Sequence, residues 1–108
     1  MNFTYNETEK ILTCLFSGRL DTIASVDLGN EIEGKISALK GTDDPKAKLD
    51  GKIVFDLQGV NYIASSFIRI CVSSARQVSN GNFSIINCEP FIKKTLKIAG
   101  LDDLLNVS

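Results

Sequence analysis

Ile53-Val54-Phe55-Asp56-Leu57, followed by Val60, Ile63 and then Ser65-Ser66, decides how this chain folds. The first five residues form a nearly continuous apolar run with β-branched and aromatic side chains, the pattern of a central strand covered on both faces. Val60 and Ile63 carry the burial through a short connection. Ser65-Ser66 then opens an amphipathic helix marked by Ile68, Cys71, Val72, Ala75 and Val78 and closed by Asn80-Gly81. Phe83-Ser84-Ile85-Ile86-Asn87 reads as the next strand. Glu89-Pro90 starts a further helix, with proline at the first position, where its missing N–H is no loss. In that helix Ile92, Leu96 and Ala99 face inward, Lys93, Lys94 and Lys97 face outward, and Gly100 ends it. Leu101, Leu104, Leu105 and Val107 pack the tail. Strand–helix alternation from residue 53 onward implies parallel strands joined by crossovers.

Upstream the pattern differs. Phe3 and Tyr5 alternate with polar neighbours as a short strand, and Ile11 to Phe16 forms a second strand with Leu12, Cys14 and Phe16 on one face. The polar segment between them, Asn6 to Lys10, fits a hairpin turn, so the two strands pair antiparallel. Gly18-Arg19-Leu20-Asp21 leads into a helix whose apolar stripe is Ala24, Leu28, Ile32, Ile36 and Leu39. Asp21 is its N-cap and Gly41 its stop. Glu31 and Lys35 are placed for an i,i+4 pair. Gly29 and Gly34 each cost this helix about 1 kcal/mol relative to alanine, so tertiary packing must hold it. Residues 41–51 form the one clear polar loop. The expected architecture is a single α/β domain over residues 1–108. Its mixed sheet has an antiparallel N-terminal hairpin and parallel central strands, with amphipathic helices packed against it.

Composition narrows the chemistry. The chain has 108 residues, 12 basic and 13 acidic side chains, a formal net charge of −1 and no histidine. Ser-His-Asp and Cys-His nucleophile systems and His-containing zinc sites therefore cannot be built. A near-neutral balance argues against a surface that tracks nucleic acid, and Lys93, Lys94 and Lys97 read as a solvated helix face. No cofactor or metal motif is present. The N-terminus shows neither a basic segment nor an apolar run, and no stretch approaches the ~20 apolar residues that span a bilayer. The expectation is a cytoplasmic protein without membrane insertion. Cys14, Cys71 and Cys88 are odd in number, widely spaced and set among apolar neighbours, as buried reduced thiols would be.

Ser65-Ser66 is the most informative pair. One reading is structural: a serine caps the helix, contributing about 1 kcal/mol. The other is functional. A phosphoserine at a helix start meets free N–H groups and the positive end of the helix dipole, so the anion is carried without unfolding anything. It also places close to two negative charges on a surface that a partner must desolvate. Serine catalysis has no histidine base here and no G-x-S-x-G elbow around Ser66, which leaves only a Ser-Lys arrangement. Asp21 and Asp56 could pair for metal or acid–base work, but Asp21 suits a cap, and Asp56 suits backbone donors at the end of its strand. Phe67 and Ile70 fall on a stripe beside the core-facing one. Either that stripe is covered too, or an apolar patch sits next to the serines and marks a partner site.

With these residues in hand, the chain resembles the STAS domain family, specifically its stand-alone bacterial anti-sigma-factor antagonists. The likeness covers nearly the whole chain. It includes Gly18-Arg19-Leu20-Asp21, the run Ile53-Val54-Phe55-Asp56-Leu57-Gln58-Gly59-Val60 leading to Ser65-Ser66, then Asn80-Gly81, Ile85-Ile86-Asn87 and the closing Leu96-Lys97-Ile98-Ala99-Gly100-Leu101-Asp102. In that family the segment reads Asp-Ser-Ser-Gly, and a partner kinase that doubles as an anti-sigma factor phosphorylates the second serine. By position that serine is Ser66. The resemblance implies a non-enzymatic binding module, with Asp21, Ser65, Phe67 and Ile70 around the switch docking an anti-sigma factor or related regulator. Ala64 stands where the family has aspartate, and Phe67 where it has glycine. The competing readings are a STAS-like scaffold or adaptor without phosphorylation, in a stressosome or transport complex, and a small-ligand or nucleotide-binding domain.

Overall fold

A computed structural model describes all 108 residues. The expected hairpin forms from β1 (Asn2–Asn6) and β2 (Ile11–Leu15), antiparallel with Phe3 opposite Cys14 and Tyr5 opposite Leu12. The chain continues through β3 (Gly18–Leu20), α1 (Thr22–Lys40), β4 (Lys52–Asp56), β5 (Val60–Ile63), α2 (Ser65–Ala75), β6 (Phe83–Ile86) and α3 (Pro90–Ile98). β2 pairs parallel with β4 and β4 parallel with β6, giving a four-stranded sheet in the order β1-β2-β4-β6. This is the mixed α/β sheet expected from the sequence. The tail closes its open side: Val107 bridges Ile85, and the Ser108 N–H donates to the Ile85 carbonyl at 2.9 Å. An edge strand so covered is not left to template pairing with another chain.

β3 and β5 are additions to the expected set. They pair parallel in a separate two-stranded sheet, where the sequence suggested only a helix lead-in and a connection. Both are too short for a period-2 signal to register. α2 also ends at Ala75, before Asn80-Gly81, and Val78 is buried from the turn that follows. Ala99 and Leu104, expected inward, are exposed. Glu31 and Lys35 do not close, and the one salt bridge of the chain is Lys10–Asp50.

The core lies on one face of the main sheet. Leu12 and Cys14 of β2, Ile53 and Phe55 of β4 and Phe83 and Ile85 of β6 are buried, while the alternate residues Thr13, Val54, Asp56 and Ser84 are only half-covered. The central strand is therefore covered fully on one side only. Its continuous apolar run overstated the burial because Val54 rests against neighbouring strands, not under a helix layer. α1 supplies Ile32 and Ile36, α2 Phe67 and Cys71, and α3 Ile92 and Leu96 to one contiguous cluster. Gly29 has a packing role in it. A β-carbon there would stand 3.3 Å from Ile70 Cδ1, so the bare backbone lets α2 approach α1. Gly34 has no such neighbour.

Four phenylalanines form the centre. Phe55 meets Phe16 edge-on at 5.0 Å and Phe83 at 4.9 Å, and Phe67 meets Phe16 edge-on at 5.1 Å. Each such pair adds about 0.5–1.5 kcal/mol beyond its burial. Phe67→Ala is expected to cost about 3–5 kcal/mol in urea unfolding, whereas Phe91→Ala, on the exposed side of α3, stays within about 0.5 kcal/mol.

Cys14 and Cys71 are buried, and Cys88 is half-buried, in contrast to the expectation of three core thiols. Burial pushes the Cys14 thiol up to about 12 and raises those of Cys71 and Cys88 as well. Because the folded state holds these protons more tightly, their share of stability is complete below the ordinary thiol value of 9.0. For Cys14 it is lost as pH climbs from there toward about 12. Iodoacetamide at pH 8 is expected to alkylate Cys88 first, with Cys14 and Cys71 labelled only on unfolding. Equal labelling of all three in the native protein would contradict this.

Candidate functional site

The β3–β5 pair builds the site. Leu20 lies opposite Ile63, and one residue further on the Ala64 N–H donates to the Leu20 carbonyl at 2.8 Å. Two parallel strands thus end together, and each feeds a helix: α1 begins at Thr22 and α2 at Ser65. The pairing sets two helix N-termini side by side and brings Asp21 next to the two serines. On the exposed side of the same strands the Arg19 guanidinium stacks 3.9 Å over the Tyr62 ring. Nothing in the sequence pattern pointed to that contact, since the pairing of their strands was itself invisible.

The two helix starts are finished differently. At α1, Asp21 Oδ1 accepts from the Ala24 N–H at 2.9 Å, and the Asp21 carbonyl accepts from the Ser25 hydroxyl at 2.7 Å. Asp21 is the cap the sequence called for, and Ser25 is buried because its hydroxyl is satisfied there. At α2 the cap position belongs to Ala64, extended at φ −86° and ψ 162°, which offers no side-chain acceptor. Neither serine caps: they stand one and two residues too late. The first N–H groups with helical partners are those of Phe67 and Ile68, both donating to the Ala64 carbonyl at 3.0 and 3.2 Å. The N–H groups of Ser65 and Ser66 therefore remain open to an acceptor from outside.

The serines differ from each other. Ser65 is exposed, while the Ser66 Oγ is shut off from solvent and has no hydrogen-bond partner. A buried hydroxyl left unpaired costs about 1–3 kcal/mol. Phe67 corrects the expectation of an apolar surface patch: it is 0% exposed, its ring turned into the aromatic centre, so it presents no surface beside the serines. It does not crowd the helix start either. A helix directs successive side chains about 100° apart, and the position after Ser66 points into the core. Ile70 is half-buried with its tip over Gly29, so it contributes an edge and not a free knob.

Asp56 and Asp21 do separate work. Asp56 Oδ1 accepts from the Gln58 N–H at 3.0 Å and from Asn87 Nδ2 at 3.1 Å, which fixes the end of β4. No cluster of three His, Cys, Asp or Glu side chains is arranged to hold a metal ion. One groove, about 470 Å³, runs along the α1–α2 seam past Asn30, Glu33, Arg69 and Gln77, and a wider depression of about 780 Å³ lies along the C-terminal half of α1; neither includes a serine of the pair. Both are open and lined mainly by polar residues, unlike the concave pockets walled by apolar side chains that hold small ligands. No helix is long and apolar enough to cross a membrane.

A model of the STAS domain family matches residues 2–108 of this chain. Members of that family are regulatory modules that act through other proteins and are generally not enzymes. No curated protein matches the chain.

The open cap at α2 gives a direct test. Ala64→Ser supplies an acceptor for the free N–H groups and is expected to raise stability by about 1 kcal/mol, read as a higher urea midpoint at unchanged m. A fall in the midpoint would mean that the first turn of α2 is already satisfied.

Proposed function

We propose, since the chain belongs to the STAS domain family, that residues 1–108 work as one anti-sigma-factor antagonist domain in the cytoplasm. Its rim around Asp21, Ser65, Ser66 and Ile70 docks an anti-sigma factor that is also a serine kinase. The observation that carries this reading is the meeting of two helix starts at the end of β3 and β5, with both serines on the uncapped one. A rigid double rim of backbone and short polar side chains suits protein docking. The chain has no histidine to act as a base for turnover at either hydroxyl.

Phosphorylation at Ser66 is the proposed control. The Ser66 hydroxyl gains a hydrogen bond by turning outward, so exposing it to a kinase costs little more than a rotamer change. Once attached, the phosphate faces two free N–H groups and the positive end of α2. The same dianion, beside the Asp21 carboxylate, is a poor surface for a partner to desolvate. Free serine binds and phosphoserine releases.

The buried Ser66 Oγ together with Ala64 favours a second reading, a STAS-like adaptor in which the hydroxyls are never modified. The two readings separate on mass spectrometry of the protein from its native cell and on affinity for a serine kinase captured from native lysate with the unmodified chain as bait. The switch reading expects phosphate on Ser66, wild-type affinity for Ser66→Ala, and a loss of at least about tenfold, ~1.4 kcal/mol, for Ser66→Asp. Unmodified Ser66 with equal binding of all three forms establishes the adaptor reading instead. Phosphate on Ser65 alone would move the switch by one residue.

A further inference from the structure

Four of the eight large apolar side chains that stay exposed lie in pairs on two helices. Ile23 and Val26 on α1 are 84% and 62% exposed, and Phe91 and Ile98 on α3 are 71% and 77% exposed. A helix advances 100° per residue, so Phe91 and Ile98, seven positions apart, fall on one line. Lys94 stands beside that line, with Lys97 and Lys93 further round the same side. On α1 the same arithmetic puts Glu33 on one flank of Ile23 and Val26, and Asp27 and Glu31 on the other.

The charges are segregated. From Thr22 to Gly34 α1 carries three carboxylates and no basic residue, its Lys35 and Lys40 lying beyond the apolar pair toward the C-terminus. From Pro90 to Ile98 α3 carries three lysines, its nearest carboxylate in sequence being the preceding Glu89. None of these six groups is in a salt bridge, because the chain closes only Lys10–Asp50. α1 packs on α2 and β3, and α3 on β5, each turning these side chains away from the core. The molecule therefore presents an apolar pair fringed with negative charge and a second apolar pair fringed with positive charge, each left without a partner inside the chain.

We infer that copies of this chain associate head to tail, the basic face of α3 on one copy seating on the acidic face of α1 on the next. Apolar contact between Phe91, Ile98, Ile23 and Val26 supplies the attraction, and the opposed charges set partner and orientation. The contact joins two different surfaces, so it is heterologous and leaves one free face at each end of the assembly. A contact centred on four apolar side chains is small beside the about 20–30 residues a side that stable interfaces use, so it is expected to be weak and to grow with concentration. This inference does not depend on what docks at the serines or on their modification.

Sedimentation velocity on the purified chain tests it. Wild type is expected to show a mean mass that rises with concentration at low salt. Raising salt from about 0.05 M to 0.5 M shortens the reach of the fringing charges and is expected to shift association at least about tenfold toward higher concentration. Two double variants at exposed positions then isolate the faces: Ile23→Lys with Val26→Lys, and Phe91→Ser with Ile98→Ser. Each alone is expected to be a monomer with an unchanged circular dichroism spectrum. Mixed, each contributes its intact face, so a species of two copies forms and nothing larger. A wild type that stays monomeric to ~1 mM at low salt overturns the inference. So does association of either double variant equal to that of wild type. Monomeric variants that fail to pair on mixing overturn the head-to-tail arrangement, because each face would then be meeting its own kind.

Discussion

The bond from the Ala64 N–H to the Leu20 carbonyl, 2.8 Å long, continues the β3–β5 ladder by one step and fixes where two helices begin. Without it, Asp21 and Ser65 would be ends of unrelated connections. With it, α1 and α2 leave a common edge and descend together, close enough for Ile70 to lie against the bare backbone of Gly29. Packing then takes over from hydrogen bonding. Phe67, three residues after Ala64, drives its ring against Phe16 and so nails the first turn of α2 to the end of β2. Neither α1, with its two glycines, nor α2, with no capping side chain, is a strong helix by itself. Both persist because their apolar faces are buried.

Much of this could be read from the sequence, for identifiable reasons. The α1 stripe is long enough for a period to emerge, Asp21 and Gly41 bracket it, and both cap it as expected. The hairpin declared itself through alternation on either side of a polar turn, and the parallel strands through the alternation of strand and helix. What escaped was short or lateral. β3 and β5 are three and four residues long and stabilise each other only across space. The half-open outer face of β4 escaped for a related reason: Val54 is apolar without being fully enclosed. An apolar run reports composition on both faces but not the number of layers above them.

The site was legible in location and not in detail. A serine pair after a buried strand pointed to the start of α2, and the chain does place Ser65 and Ser66 there. The step from location to role failed by one residue. Capping is a property of a single backbone position, and that position fell to Ala64. Phe67 likewise turned inward, because the buried stripe of α2 is Phe67, Cys71 and Ser74 and not the neighbouring one through Ile68, Val72 and Ala75. Side chains one position apart on a helix point about 100° apart, so choosing the neighbouring stripe as the core face is enough to exchange a surface residue for a buried one.

The same rotation explains how a poorly satisfied hydroxyl can sit in a well-ordered helix. Ser66 Oγ lacks a partner at a cost of about 1–3 kcal/mol, a real fraction of the 5–15 kcal/mol that usually separates folded from unfolded chains. The neighbouring ring offsets that cost. Phe67 is fully buried against the rings of Phe16 and Phe55, and its burial holds the backbone of α2 in place whatever the adjacent side chain does. Ser66 is therefore free to change rotamer, bind an acceptor or lose its hydroxyl without moving the helix that carries it. Strain confined to one short side chain, on a backbone anchored by the next residue, permits a local chemical change at the rim while the rest of the fold stays as it was.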